Sequence, residues 1–448
     1  MSNFEENVND AVYRRISQKD LDEALLKHQK FLKGRTGGQR ASFAVHDLSF
    51  LDFSGRDLSN SDFSGARLRS AVLRGCKLEA ANMFAADLRK ADLTGAHLRR
   101  ADLRGVCLRG ANLTDAEMVD IDLRDGILLK SDGRGNLTAL TFELNVADIG
   151  NAIMKGADMS SARMSNAFIM QTDLTDCILR NVKLMRADLS HSNLTGSNLE
   201  GADLTDANLT GAIMHGAILR GTILANANLS GADLVGAMID PELMERYDLS
   251  KAVLPKSLDT LGSPLQDVIR KHAEWFATGG KQGARAMLAR YDLTKQDLSG
   301  ANLSAASFEF AVLLSAKLAK TDFLMADLGF ADLRKADLSN ADMRGVNLKR
   351  ANLTGATLTG ARLGAVNLMG SIAQLWPSNL EHAKLIEVEA AGISLRRAKA
   401  AGADFSGATL READLSDADL KDANFEDADL RGANLERADL RGARGVKK

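Results

Sequence analysis

Ala91-Asp92-Leu93-Thr94-Gly95 and, two pentads on, Ala101-Asp102-Leu103-Arg104-Gly105 decide how this chain is read, because a large apolar residue recurs at every fifth position through most of its length. Five fits neither the 3.6-residue period of a helix nor the two-residue period of a strand. A small residue two places before each large one puts both on the same side of a pleat, and the residue between them points outward. Repeating that arrangement every five residues requires the backbone to turn a corner once per pentad. The chain therefore winds into a solenoid, the expected architecture for a sustained short repeat.

Following the phase separates four runs. The first has centres from Leu48 to Leu128, including Phe53, Leu58, Phe63, Leu68, Leu73, Leu78 and Met83. After the break Asp132-Gly133-Arg134-Gly135 the phase moves by one residue, and a second run goes from Leu144 through Ile149, Met154 and Leu174 to Leu254. A third spans Leu293 to Leu368, and a fourth Leu380 to Leu440, with weak centres such as Ala390 and Ala400. Together they hold about 69 pentads, roughly three quarters of the residues. The expected organisation is a helical cap and connector (1–47), run one (48–128), a Gly-containing break (129–143), run two (144–254), a helical insert repeating the cap (255–292), run three (293–368), a break (369–379), and run four with a tail (380–448). All four prolines, Pro241, Pro255, Pro264 and Pro377, fall in degenerate or interrupted stretches, since elsewhere proline would remove a ladder donor.

Each position in the pentad has its own chemistry. The small inward residue is usually Ala, as at Ala86, Ala91, Ala96 and Ala101, beside a bulky Leu or Phe. The outward residue is usually Asp or Asn, whose side chain accepts from nearby backbone N–H groups in Asx-type turns. With twenty residues per coil, Phe405 and Phe425 would stack one above the other. Met154, Met159 and Met164 read as adaptable core filler.

The pattern A[DN]LxG resembles the pentapeptide-repeat family over all four runs. That resemblance implies a mainly β fold, a right-handed quadrilateral β-helix with four pentads per coil. Short α-helical caps or inserts complete the expected fold class.

Two helical segments echo each other. Lys27-His28-Gln29-Lys30-Phe31, then Gly38 and Arg40-Ala41, leads into Asp47-Leu48; Lys271-His272-Ala273-Glu274-Trp275, then Gly283 and Arg285-Ala286, leads into Asp292-Leu293. The first has a capping box at Ser17 and Asp20 and an apolar stripe of Leu21, Leu25, His28 and Leu32. The second opens with Ser263 as N-cap and Pro264 in the first turn, carries Leu265, Val268, Ile269, His272 and Phe276 on one face, and ends at Gly279-Gly280. Such helices suit the covering of a solenoid end, where backbone and core side chains would otherwise be bare.

The chain has 448 residues with 57 basic and 59 acidic side chains, net −2. It contains no apolar run of spanning length and no leader, and it starts with the polar Met1-Ser2-Asn3-Phe4-Glu5, so a cytoplasmic protein without a membrane span is expected. Cys76 and Cys177 occupy inward positions and Cys107 an outward one, which suits a reducing compartment. The histidines form no metal-binding spacing. Gly34-Arg35-Thr36-Gly37-Gly38 and Gly279-Gly280-Lys281-Gln282-Gly283 lack phosphate-loop spacing and read as helix exits. No enzyme, metal or cofactor is expected.

Charge gives the one functional gradient. Arg69, Arg89 and Arg109 lie twenty apart and would form a column, which Arg67, Arg74 and Lys90 would widen into a patch able to meet phosphates or an acidic protein surface. Glu412, Asp414, Asp417, Asp419, Asp422 and Asp427 form an acidic stretch opposed, within its own window, by Arg411 and Lys421. The family resemblance implies an alternative for such a stretch: an acidic imitation of duplex DNA that modulates a DNA-binding enzyme such as gyrase. The leading expectation is a non-catalytic protein–protein interaction scaffold, its partner unidentified, with no direct nucleic-acid binding. The last coil could pair in a homodimer or be protected by Arg441, Arg444, Lys447 and Lys448.

Overall fold

The computed structural model describes residues 13–126, 129–131, 137–139, 146–368 and 374–446. Leu128, Leu144, the stretch Asp132 to Gly135, the start Met1 to Glu5, residues 369–373 of the later break, Lys447 and Lys448 lie outside the described residues. The chain divides into two compact units, Met1–Val253 and Leu254–Lys448.

In both units the pentads form a repeat β-helix in which outward residues twenty apart bridge in parallel, as in Asp47↔Arg67, Arg67↔Asp87 and Asp87↔Cys107. The alternation is regular: the Leu48 N–H donates to the Arg67 carbonyl (2.7 Å), and the Arg67 N–H donates to the His46 carbonyl (2.9 Å). Each pentad contributes one bridged residue because the corner returns before a longer strand can form. Among the described residues, longer strands occur only as short pairs. They are β1 (Arg14–Arg15) with β2 (His46–Asp47), β3 (Leu129–Ser131) with β4 (Leu137–Ala139), and β5 (Val366–Leu368) with β6 (Gln374–Trp376).

Inward positions are sealed. Ala86, Leu88, Ala96 and Leu98 are fully buried, and so are the weak centre Ala390 and nearly so Ala400. Burying each large centre contributes roughly 1.5–3 kcal/mol relative to exposure. Phe405 and Phe425 stack with centroids 5.0 Å apart and planes 3° from parallel. Met154, Met159 and Met164 are core residues. The Cys76 and Cys177 thiols are buried and donate to the Phe53 and Met154 carbonyls (both 2.8 Å). Burial pushes the Cys76 pKa up to about 11 and that of Cys177 higher still, so neither is a thiolate at neutral pH.

In the first unit the ladder runs from Ser42↔Asp62 to Asp233↔Val253. It begins one pentad before Leu48, with Ala41 and Phe43 already buried. Sequence reading misses that pentad because Ala44-Val45 replaces the usual corner residues. Across the first break Cys107 bridges Asp148 and Asn112 bridges Ile153. The ladder therefore continues across the break, and the antiparallel β3–β4 pair lies between its two sides in sequence. The one-residue change of phase is what remains once whole coils are subtracted. Near the end of this ladder α2 (Pro241–Arg246) buries Leu243, and the preceding Asp240 carboxylate accepts the Gly221 N–H (2.9 Å).

In the second unit Lys256 bridges Tyr291, and the pentad ladder then repeats the scheme from Met287↔Ser307 to Asn424↔Arg444, again one pentad before the expected start at Leu293. Asn347 bridges Asn379, so the ladder also passes over the β5–β6 hairpin without a break. The buried Ser378 hydroxyl ties that return, accepting the Gly345 N–H (3.0 Å) and donating to the Gly364 carbonyl (3.0 Å).

Each ladder starts against a helix. Helix α1 (Gln18–Leu32) has the Ser17/Asp20 capping box and buries Leu21, Leu25 and His28. The Gln18 side-chain amide donates to the Asp52 carbonyl (2.9 Å) and accepts the Asp52 N–H (3.0 Å). It thus imitates the peptide group of the coil that is not there. In the second unit α3 (Leu265–Ala277) buries Ile269 and His272, while Leu265 and Val268 pack partly buried against the core. Two details differ from expectation. Pro264 is itself the capping residue, its carbonyl accepting the Asp267 N–H (2.9 Å), and Phe276 is exposed.

Candidate functional site

The outward aspartates fix the coil before they do anything else. Asp52, for example, accepts the Ser54 N–H (2.8 Å), closing the turn after the centre, and the same contact recurs from Asp92 to Thr94 and from Asp158 to Ser160. Where the residue after the centre is Arg, its side chain folds back onto the same carboxylate. Arg104 donates to Asp102 through Nε (2.9 Å) and Nη2 (2.6 Å), and Arg124, Arg334, Arg344, Arg431 and Arg441 do likewise on the Asp two places before each. The signal Asp-x-Arg is plain in the sequence once outward neighbours are compared at a spacing of two.

Arg69, Arg89 and Arg109 follow one another on successive coils: the Ser70 N–H donates to the Arg89 carbonyl and the Lys90 N–H to the Arg109 carbonyl. They do not form a bare cationic stripe. Arg69 Nε and the Arg89 guanidinium (2.8 and 2.7 Å) converge on Asp87, which is fully buried. Burial alone would push the Asp87 carboxyl up, but the hydrogen bonds from Arg89 and Arg69 outweigh it and hold the group below the usual carboxylate range. Arg109 donates to Asp148 (3.0 and 2.6 Å), and Arg74, a quarter of a coil further on, donates to Asp92 (2.5 Å). The Arg67 guanidinium lies over the Tyr13 ring at 3.9 Å and the residue is buried, so it is not part of an accessible patch. Lys90 is exposed at a corner. At the same corner two coils earlier, with Ser70 between, stands Phe50, which sequence reading passes over: this residue is 72% exposed, in left-handed backbone (φ 66°). A bulky aromatic is costly in that region and gains little from exposure, a combination that accumulates at functional surfaces.

The acidic residues do not share a face. Glu412, Asp417, Asp422 and Asp427 all have left-handed backbone, at successive corners a quarter of a coil apart. Consecutive pentads run round the coil, whereas one face collects residues twenty apart. For the same reason counter-ions come from neighbouring coils as well as from Lys421, whereas Arg411 pairs with Asp429. Asp417 accepts from Arg437 (2.6 and 3.1 Å) and has Arg397 and Arg396 at 3.6 and 3.8 Å. Asp419 pairs with Lys421 (3.2 Å), and Asp414 accepts the Ser416 hydroxyl (2.6 Å). The Arg437 hydrogen bond holds the Asp417 pKa down.

Among the described residues there is no group of three or more His, Cys, Asp or Glu side chains placed to hold a metal ion, and no helix long and apolar enough to cross a membrane. Burial raises the Cys107 pKa, which leaves no activated thiol at that outward position. Gly38 is pressed against helix backbone, where an added Cβ would sit 2.4 Å from the Phe31 nitrogen. This glycine stretch therefore docks a helix and does not cradle a phosphate.

A solenoid whose coils close every twenty residues, with Asx turns at its corners, defines a class of repeat protein. The chain belongs to the pentapeptide-repeat family: the family model described as Pentapeptide repeats matches residues 47–83, 81–118, 144–181, 183–221, 202–239, 297–329, 331–370, 378–417 and 410–444, well over half of the chain. Solved structures similar to it include HetL, a pentapeptide repeat protein involved in heterocyst differentiation regulation from the cyanobacterium Nostoc sp. Strain PCC 7120. It is 23% identical, with 77% of this chain and 98% of that chain covered, at a TM-score of 0.27. QnrB1, a plasmid-mediated fluoroquinolone resistance protein, is 19% identical over 48% of this chain and 98% of its own (TM-score 0.37). Rfr23 from the cyanobacterium Cyanothece 51142 is 25% identical over 34% and 90% (TM-score 0.22). Likenesses of this size carry no functional conclusion. No curated protein matches the chain.

Proposed function

We propose that this protein is a non-catalytic scaffold that holds a protein partner along the Arg69, Arg89 and Arg109 face of its first unit. The observation that supports this reading most is the convergence of two guanidiniums on the single buried carboxylate of Asp87, with Lys90 and Phe50 exposed beside them. The buried acid fixes two partly exposed guanidiniums on a rigid surface, and an exposed aromatic next to arginine is the composition of an interface anchor. The partner surface is acidic. In this reading the protein is cytoplasmic and binds no nucleic acid directly, and the coil is right-handed and quadrilateral. The segment boundaries drawn from the sequence are kept, with each ladder extended by the pentad at Phe43 or Leu288. A homodimer through the C-terminal coil is part of the proposal, supported by the half-buried Leu430, Leu435 and Leu440.

The acidic alternative draws less support, because its residues are spread around the coil and Asp417 is held by Arg437. A supercoiling assay with purified gyrase separates the two. Inhibition or protection that disappears on charge reversal at Asp417, Asp422 and Asp427 would favour the alternative, whereas no effect at high protein concentration leaves the scaffold reading in place.

A further inference from the structure

The two cap helices share a buried histidine in one and the same setting. His28 and His272 are both fully buried. His28 Nδ1 accepts the Ala41 N–H (3.1 Å), and His272 Nδ1 accepts the Ala286 N–H (3.0 Å), in each case at the residue that opens the first coil. A ring nitrogen that accepts carries no proton, so these contacts assign the proton to Nε2 in both rings. Each Nε2 is buried without a hydrogen bond. Each ring stacks on an aromatic of its own helix, Phe31 at 5.9 Å and Trp275 at 5.5 Å. In each connector an arginine Nε donates to a corner carbonyl, Arg40 to Asn60 (2.5 Å) and Arg285 to Ala305 (2.6 Å). The same lock is built twice in one chain.

We propose that His28 and His272 are acid-released latches: protonation of either ring detaches its cap helix and bares the starting edge of that ladder. A second ring proton would sit on Nδ1, facing the Ala41 or Ala286 N–H donor against donor. It would also place a charge among the buried Leu21 and Leu25, or beside Ile269, at the cost of its hydration. The charged groups facing His28 are Asp57, which favours the cation, and Arg40, which opposes it; Arg285 faces His272 and opposes the cation. The Ser59 and Ser304 backbones also favour the charged rings, without reaching Nε2 in hydrogen-bonding geometry. Burial dominates in both cases and holds the rings below the ordinary histidine range.

The sign follows from linkage. The opened cap binds a proton with an ordinary pKa of about 6.5, and the closed one binds it only at lower pH. Latch stability is therefore full above about pH 6.5 and falls as the pH drops from there toward the depressed closed-state value. The ordinary value of the opened ring sets roughly 30-fold as the upper bound on the rise of each cap's opening equilibrium between pH 7.5 and pH 5.0. An opened edge presents unpaired strand backbone to other chains.

The test is hydrogen exchange by mass spectrometry on the full chain at pH 7.5 and 5.0, with rates corrected for the intrinsic pH dependence of exchange. A several-fold loss of protection in α1 and α3 at pH 5.0, no larger than that bound, with mid-ladder peptides around Phe308 and Phe323 unchanged, is expected. His28→Gln and His272→Gln retain an acceptor that does not titrate and should remove the pH difference at their own helix. Equal protection at both pH values, or the same loss in the Gln variants, overturns the proposal. If the variants fail to fold, NMR titration of the unmodified protein decides: the two cap histidines must titrate below about pH 6.5, and ordinary or raised values overturn it.

Discussion

Asp87 governs how the arginine face behaves, because it is fully buried while Arg69 and Arg89 are each about one-third exposed (35% and 33%). Asp87→Ala leaves two guanidiniums facing each other and removes the acceptor of the Arg89 N–H. Breaking a fully buried pair costs about 3–5 kcal/mol; partial exposure of the arginines brings the expected loss to about 2 kcal/mol, read by urea unfolding. The pH sign is fixed too. A carboxyl held below its ordinary value contributes stability that is complete above about pH 4 and is lost as the pH falls through the depressed native value, so Asp87→Asn should lack that acid-side loss. Phe50 behaves in the opposite way. Its left-handed backbone costs roughly 1–2 kcal/mol that glycine avoids, and its exposed ring buries little. Phe50→Gly should raise stability by about 1 kcal/mol, and the same change should weaken partner binding if the ring is an anchor.

Helices α1 and α3 do for the first coil what a preceding coil does elsewhere. The Gln18 amide supplies one donor and one acceptor to Asp52, so Gln18→Ala should cost about 1–2 kcal/mol and raise amide exchange at Asp52. Gly283 is the sharper probe of α3. It has φ 75°, and an added Cβ would lie 2.1 Å from the Lys271 carbonyl oxygen. Gly283→Ala should lift α3 from its coil, seen as lost protection in residues 265–277 with the ladder beyond Phe308 unaffected. Both helices are legible in the sequence, because the His, Gly and Arg-Ala echo survives when the rest of the connector has diverged. The exact start of α3 is not: proline at the cap and proline in the first turn leave the same trace in one dimension. The pentad centred at Phe43 is also hidden, since Ala44-Val45 carries none of the corner signal and only bridging to Asp62 reveals the coil.

Across the whole chain, the inward positions and the Asx role of the aspartates could be read residue by residue, because both depend on contacts within a pentad. The charge surface could not. A window along the sequence follows the coil around its perimeter, while neighbours on a face are twenty residues apart, or farther where a hairpin intervenes. That is why Arg437 is absent from a local count around Asp417, and why the arginine column looks bare until Asp87 and Asp148 are placed beside it. The individual features of this chain are additions to the regular repeat: the two caps with a buried histidine, the Asp87 carboxylate shared by two arginines, and the exposed Phe50 ring at a corner. The central claim, that the arginine face holds a partner, is tested most directly by affinity capture from native lysate with the full chain and a Phe50→Gly/Lys90→Glu variant, compared by mass spectrometry. The account predicts a specific protein retained by the unmodified chain and depleted at least tenfold on the variant, with both baits equally folded by circular dichroism. Recovery of the same proteins in equal amount by both baits, or of none by either, would contradict it.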